Sequence, residues 1–179
     1  VDSIGSVPLI RGQNLLGLGG VNPADFLVEN PLSAYAESIR YLRAAIAFSD
    51  LDSETKTVAI CSSLPDEGKT SLTLSLGRMS AMSGSRTLVI DGDFRRRQLT
   101  ESAGLKPEIG FIEHLFGAGQ LNDAITKDRK SMLDILPLSQ SGGNLWRVAA
   151  GSQPCGWISQ RDRGNRISCG TGYTAGAGA

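Results

Sequence analysis

Residues 56–82, KTVAICSSLPDEGKTSLTLSLGRMSAM, constrain this chain more than any other stretch. A short apolar, β-branched run (56–63) leads into a Pro/Gly turn, and a helical pattern follows from Lys69 to Met82, stopping at Ser83-Gly84. The turn fits the phosphate-loop pattern G-x-x-x-x-G-K-[ST] except at its first position, where Ser63 replaces glycine. A loop between a strand and a helix aims several N–H groups at one spot, and the helix start adds about half a positive charge there. Gly68 lets backbone approach a phosphate, Lys69 reaches the outer phosphates, and Thr70 offers a hydroxyl to Mg²⁺. The bland alternative is a plain strand–turn–helix capped by a threonine.

A second buried strand is predicted at RTLVIDGD (86–93) and a third at SMLDILPL (131–138), with short helices at 110–116 and 121–127 between them. This alternation predicts an α/β fold with parallel strands and right-handed crossovers. Asp91 and Asp93 fall at the carboxyl end of the second strand, where open parallel sheets place ligands. If strands 58–62 and 87–91 are neighbours, these acids face the loop. One carboxylate there can hold Mg²⁺, and another can accept a hydroxyl proton; the alternative is a solvated Asp/Gly turn. Arg95, Arg96 and Arg97 follow, either as phosphate ligands or as an exposed basic turn.

Residues 32–48 are helical by pattern, with Leu32, Tyr35, Ala36, Ile39, Leu42 and Ile46 on one stripe. Glu37, Arg40 and Arg43 lie beside that stripe; alone they read as a solvated face with an (i, i+3) ion pair. Cys61 and Met79 with Met82 read as core residues, and His114 as a surface or core-edge residue. The 179 residues carry 18 bases and 18 acids, so no global attraction to nucleic acid is implied. The three cysteines lack metal-ligand spacing and read as reduced thiols. No apolar run approaches the ~18 residues of a membrane span. The start at Val1 suggests a piece of a longer protein.

Four features in order carry a resemblance: E-x-x-R-x-x-R at Glu37, Arg40 and Arg43; SSLPDEGKT; LVIDGDFR; and GFIEHLFGAGQLNDAI. From about Gly5 to Leu138 the chain resembles the cytoplasmic domain of bacterial tyrosine kinases, P-loop NTPase-like enzymes attached to or paired with membrane polysaccharide co-polymerases. In that family Ser or Thr opens the loop and P-x-E-G-K-[ST] follows, so Ser63 and Glu67 look like a family trait. The resemblance implies ATP and Mg²⁺ as cofactors. It implies nucleotide binding by Ser63, Pro65, Glu67, Gly68, Lys69, Thr70, Ser71 and Arg95, with metal held by Thr70, Asp91 and Asp93. Lys69, Asp91 and Asp93 would be catalytic, with Asp91 the proton acceptor from tyrosine. Glu37, Arg40 and Arg43 would join subunits in a ring-like homo-oligomer. The other implied partners are protein tyrosines and a membrane co-polymerase segment, fused or separate, at the cytoplasmic face of the inner membrane; no nucleic acid is implied.

The resemblance divides the chain into a juxtamembrane-like linker (1–30), a partial nucleotide-binding kinase domain (31–140) and an irregular tail (141–179). The family's third motif, a strand ending in D-x-P, is absent after Leu138, and Tyr173 stands alone where a tyrosine cluster is expected. The sheet is therefore expected to be incomplete toward the C-terminus. The tail reads as flexible, as the product of a shifted reading frame, or as a real but irregular structure. Two other functions compete: a non-catalytic, nucleotide-gated assembly module, and a partition-type ATPase. Ser63-Leu64 argues against the latter, whose loops carry a further lysine there.

Overall fold

The computed structural model describes residues 3–10, 22–48, 57–140, 158–161 and 167–169. The chain divides into two compact units, 1–143 and 144–179. In the first, the helices are α1 (Pro23–Glu29), α2 (Ala34–Phe48), α3 (Lys69–Met82), α4 (Gln98–Ser102), α5 (Phe111–Leu115) and α6 (Leu121–Ala124). Its strands are β1 (Leu88–Ile90), β2 (Thr126–Lys127) and β3 (Asp134–Leu136). In the second unit β4 (Ile158–Arg161) pairs antiparallel with β5 (Ile167–Cys169), where the sequence predicted no element. Trp146, Trp157 and Tyr173 lie outside the described residues.

The sheet order is β1-β3-β2. β1 and β3 run parallel, Val89 opposite Ile135, as the strand–helix–strand alternation predicts. β2 runs antiparallel to β3, so the sheet is mixed. Sequence reading carried a helix through Lys127; the helix stops at Ala124 because Thr126 and Lys127 close a tight turn back onto β3. Asp128 N–H donates to Leu133 O at 2.7 Å within that turn.

The run 56–63 differs from the prediction of a buried strand. Among the described residues 57–61 form no strand, Val58 is 50% exposed and Cys61 is exposed. β1 has its ladder with β3 instead of with this run. A strand exists only as one side of a ladder, and the described residues supply no partner here.

Helix α3 is the centre of the packing. One face sets Leu74 against Val89, Leu133 and Ile135 of the sheet. The other sets Met79 against Leu27 of α1 and Tyr35, Ala36 and Ile39 of α2. The Tyr35 hydroxyl meets Ser75 Oγ at 2.9 Å, tying α2 to α3; burial pushes the phenol pKa up, against the opposing effect of that hydrogen bond. Leu32, predicted on the apolar stripe of α2, is 88% exposed because the helix begins two residues later. Met82, predicted to face the core, is half exposed at the end of α3. Gly77 lets α3 sit on the sheet: a methyl added there would lie 2.5 Å from Val89 Cγ2 and 3.0 Å from Leu133 Cδ2. Gly77→Ala is therefore expected to destabilise by ~1–3 kcal/mol through overpacking, outweighing the better helix propensity of alanine. An unchanged urea midpoint would refute this.

Residues 23–29, inside the expected linker, form a docked helix. Asn22 caps it, accepting from Ala24 N–H at 3.0 Å, and Pro23 occupies the first turn. Ala24 and Leu27 are fully buried. Its Asp25 accepts from Arg78 of α3 at 2.6 Å and pairs with Lys130 at 3.0 Å. Burial works against the Asp25 carboxylate, but the hydrogen bonds and charges of Arg78 and Lys130 outweigh it and hold its pKa below the usual value. A depressed folded pKa contributes stability above the unfolded value, about 3.9, which is lost as pH falls through the folded value. Asp25→Asn should thus cost more stability at pH 7 than at pH 3; equal costs in urea melts would contradict the assignment.

Candidate functional site

The loop before α3 adopts the geometry that its residues predict. Gly68 sits at the helix N-cap with φ 83°, in the left-handed region that favours glycine, and the space over its α-carbon is open. No side chain caps the helix there, so the first-turn amides have no side-chain acceptor. Leu72 N–H donates to Gly68 O at 2.8 Å, starting the helical ladder. Lys69 is half buried, and its ammonium has no hydrogen-bond or ion-pair partner among the described residues. Open amides, an ammonium without a partner among the described residues and no Cβ over the loop fit an anionic polyphosphate. Loop residues 63–68 are exposed.

Not every predicted loop ligand is free to serve. The Glu67 carboxylate accepts from Leu64 N–H at 3.1 Å, and Ser62 Oγ donates to Leu64 O at 2.9 Å. These bonds shape the loop from within. Asp66, at φ 63°, is exposed. Ser63 and Pro65 are exposed and Ser71 is half buried on the first turn of α3.

Two contacts tie the segment after the second acidic motif to the loop, although 57–61 form no strand beside β1. Arg96 lies 4.0 Å from Asp66, and Thr70 Oγ1 donates to Gln98 Oε1 at 3.5 Å. Both bridges come from the 94–98 segment, which turns directly after Asp91 and Asp93. Asp91 is only 2% exposed. Its Oδ2 accepts Thr100 Oγ1 at 2.6 Å and Thr100 N–H at 2.9 Å; its Oδ1 accepts Asp93 N–H at 3.2 Å. Asp93 is half buried and accepts Arg96 N–H at 3.2 Å. The three arginines separate. Arg97 donates to Ser139 O at 2.9 Å and pairs with Glu101, Arg96 faces Asp66, and Arg95 is exposed without an ion-pair partner among the described residues.

Among the described residues no group of three or more His, Cys, Asp or Glu side chains forms a ready metal cage. Mg²⁺ does not need one: it keeps several waters and is held by one or two protein oxygens together with substrate phosphates. The Thr70 hydroxyl and the two aspartates are donors of the right hardness for that role. Sequence reasoning missed Gln98 and Thr100, because a five-residue helix carries no period and their partners lie 28 and 9 residues away.

The predicted interface residues sit on α2. Glu37 is exposed and pairs with Arg40, which also donates to Pro31 O. Arg43 is half buried, and its Nε has no hydrogen-bond partner among the described residues. None of the three contacts the phosphate loop in the bonds recorded for them. A cleft of about 480 Å³ lies elsewhere, between the 103–107 turn and β2, lined by Lys106, Lys127 and Arg129. No loop residue lines it, so its size says nothing about nucleotide binding.

No family model matches the chain. It is 37% identical over 111 residues, 62% of its length, to the succinoglycan biosynthesis transport protein ExoP of Rhizobium meliloti. It is 31% identical over 113 residues, 63% of its length, to the tyrosine-protein kinase etk of Escherichia coli K12. The chain spans 14% and 16% of those two relatives. Among solved structures, the kinase domain of Escherichia coli tyrosine kinase ETK aligns with a TM-score of 0.66 at 24% identity, covering 84% of this chain and 62% of that one. The BceF tyrosine kinase domain aligns with a TM-score of 0.54 at 30% identity, covering 62% and 44%. The first of these likenesses carries the fold alone.

Proposed function

We propose, from the premise that this chain belongs to the bacterial tyrosine-kinase domains of the polysaccharide co-polymerase family, that it transfers the γ-phosphoryl group of ATP to protein tyrosine in exopolysaccharide or capsule export. The observation that carries the reading is the loop itself: Gly68 at φ 83°, uncapped amides at the start of α3, and Lys69 without a carboxylate partner among the described residues.

The amides and Lys69 bind the polyphosphate and neutralise charge that grows on it as the phosphoryl group moves. Thr70, Asp91 and Asp93 would hold Mg²⁺, which when bound draws charge from the phosphate oxygens. Asp91 or Asp93 accepts the proton of the tyrosine hydroxyl; the half-buried Asp93 is the more open of the two. Arg95, exposed beside them, is available to a phosphate. Of the described tyrosines, Tyr41 on α2 is 64% exposed, whereas Tyr35 is buried against Ser75, so Tyr41 is the candidate for self-modification. The Glu37, Arg40 and Arg43 face is assigned to contact with further copies of the chain. A membrane co-polymerase segment is assigned as partner, at the cytoplasmic face of the inner membrane. No helix among the described residues is long and apolar enough to cross a membrane.

One fact of the sequence favours a second reading, a non-catalytic nucleotide-gated assembly module: the D-x-P strand is absent after Leu138. Incubation with Mg·ATP followed by phosphotyrosine detection separates the two. A signal lost in Lys69→Met supports the kinase. Nucleotide binding without a lysine-dependent signal supports the assembly module.

A further inference from the structure

Asp91 follows β1 directly, its N–H bonded to Leu136 O of β3 at 3.0 Å, so the backbone is held on the sheet. Its side chain is held from another direction. The first turn of α4 supplies Thr100 N–H at 2.9 Å and Thr100 Oγ1 at 2.6 Å, both to Oδ2. The same hydroxyl accepts Leu138 N–H at 3.0 Å, from the segment leaving β3. Since that hydroxyl has a single proton and donates it to Asp91, its lone pair is turned toward Leu138. Thr100, itself 2% exposed, thereby joins three segments that are distant in the chain: the end of β1, the start of α4 and the end of β3. An ionised carboxylate has about four acceptor sites. Two on Oδ2 are taken by Thr100 and one on Oδ1 by Asp93 N–H, which leaves one site on Oδ1 without a partner among the described residues.

We infer that Thr100 is a positioning residue for the phosphoryl-transfer site: its hydroxyl locks Asp91 so that Oδ1, which meets Asp93 N–H, keeps one acceptor site open. The inference rests on the reading of Asp91 as an acid that serves the metal-bound nucleotide. Without the hydroxyl, two backbone N–H bonds remain on the carboxylate, and its terminal torsion, which is broad and roughly two-fold, is held less tightly. The same turn of α4 carries Gln98 to Thr70, so α4 is fastened to both halves of the site. Thr100 contacts neither nucleotide nor tyrosine in this account; it acts through Asp91.

The test uses the full chain with Thr100→Val, Thr100→Ser and Asp91→Asn. ATP affinity is measured by titration with and without Mg²⁺, and folding by thermal melting. In Thr100→Val, affinity without Mg²⁺ is expected within about twofold of the parent, while the gain on adding Mg²⁺ falls about tenfold, the size of one charge-assisted hydrogen bond. Thr100→Ser keeps the hydroxyl and should keep that gain. Should Thr100→Val not fold, Thr100→Cys, of similar volume with a weak donor, carries the comparison. Equal loss with and without Mg²⁺, or no loss, overturns the inference, since a purely structural threonine gives the first and an idle one the second. If Asp91→Asn keeps the full Mg²⁺ gain, the reading of Asp91 fails and takes this role with it. If Asp91→Asn loses the gain and Thr100→Val does not, only the role of Thr100 fails.

Discussion

Arg78→Ala is expected to remove about 3–5 kcal/mol of stability, the usual cost of breaking one side of a buried ion pair. Arg78 is 1% exposed in the middle of α3. Its guanidinium grips Asp128 through Nε and one terminal nitrogen, each at 3.0 Å, and reaches Asp25 of α1 through the other at 2.6 Å. Asp128 is itself 2% exposed and takes a further bond from Ser131 Oγ at 2.6 Å. Truncating the arginine leaves the Asp128 charge buried with its main partner gone, and it removes the ion pair between α1 and α3. A loss of that size is a large share of the 5–15 kcal/mol a domain typically has. The urea midpoint reads it directly. Arg78→Met with Asp128→Leu should recover most of the loss, because a matched apolar pair of similar volume often replaces a buried ion pair at no cost. A single-variant loss below about 1 kcal/mol, within the range of exposed salt bridges, would show that the network is incidental.

Lys69→Met should have the opposite character: a large functional effect with little effect on folding. The Lys69 ammonium has no hydrogen-bond or ion-pair partner among the described residues, so replacing it breaks no side-chain bond among them. Stability should change by no more than about 0.5 kcal/mol. Mg·ATP affinity should fall about ten- to a hundredfold, matching ~1.5–3 kcal/mol for a hydrogen bond to a charged group, and phosphotyrosine formation should cease. Unchanged affinity in a folded variant would remove the loop from the nucleotide site and with it the proposed reaction.

Helix α3 was legible in the sequence from Lys69 to Met82 because its cues are local: Gly68 before it, and Ser83-Gly84 after it. β1 and β3 were legible because continuous apolar runs mark buried parallel strands. The loop, with Gly68 and Lys69, was legible because its chemistry needs particular residues at a fixed spacing. The buried strand expected over 56–63 was not, because an apolar run states a capacity for pairing and the partner decides whether it is used. The acids and the loop were expected to meet across neighbouring strands; instead the segment that follows the acids reaches the loop through Arg96–Asp66 and Gln98–Thr70, side-chain contacts that no local pattern encodes.

Local chemistry along the chain therefore settled on its own where α3 starts, which loop precedes it and which acids end β1, since turns, caps and periodicity act between residues a few positions apart. Tertiary structure alone decided that α1 docks, that Asp91 is buried against Thr100, and that Arg78 holds α1 to α3. These depend on partners distant in the chain, such as Asp25 with Arg78 and with Lys130, and such contacts form only once burial has removed the water that would otherwise satisfy each group separately.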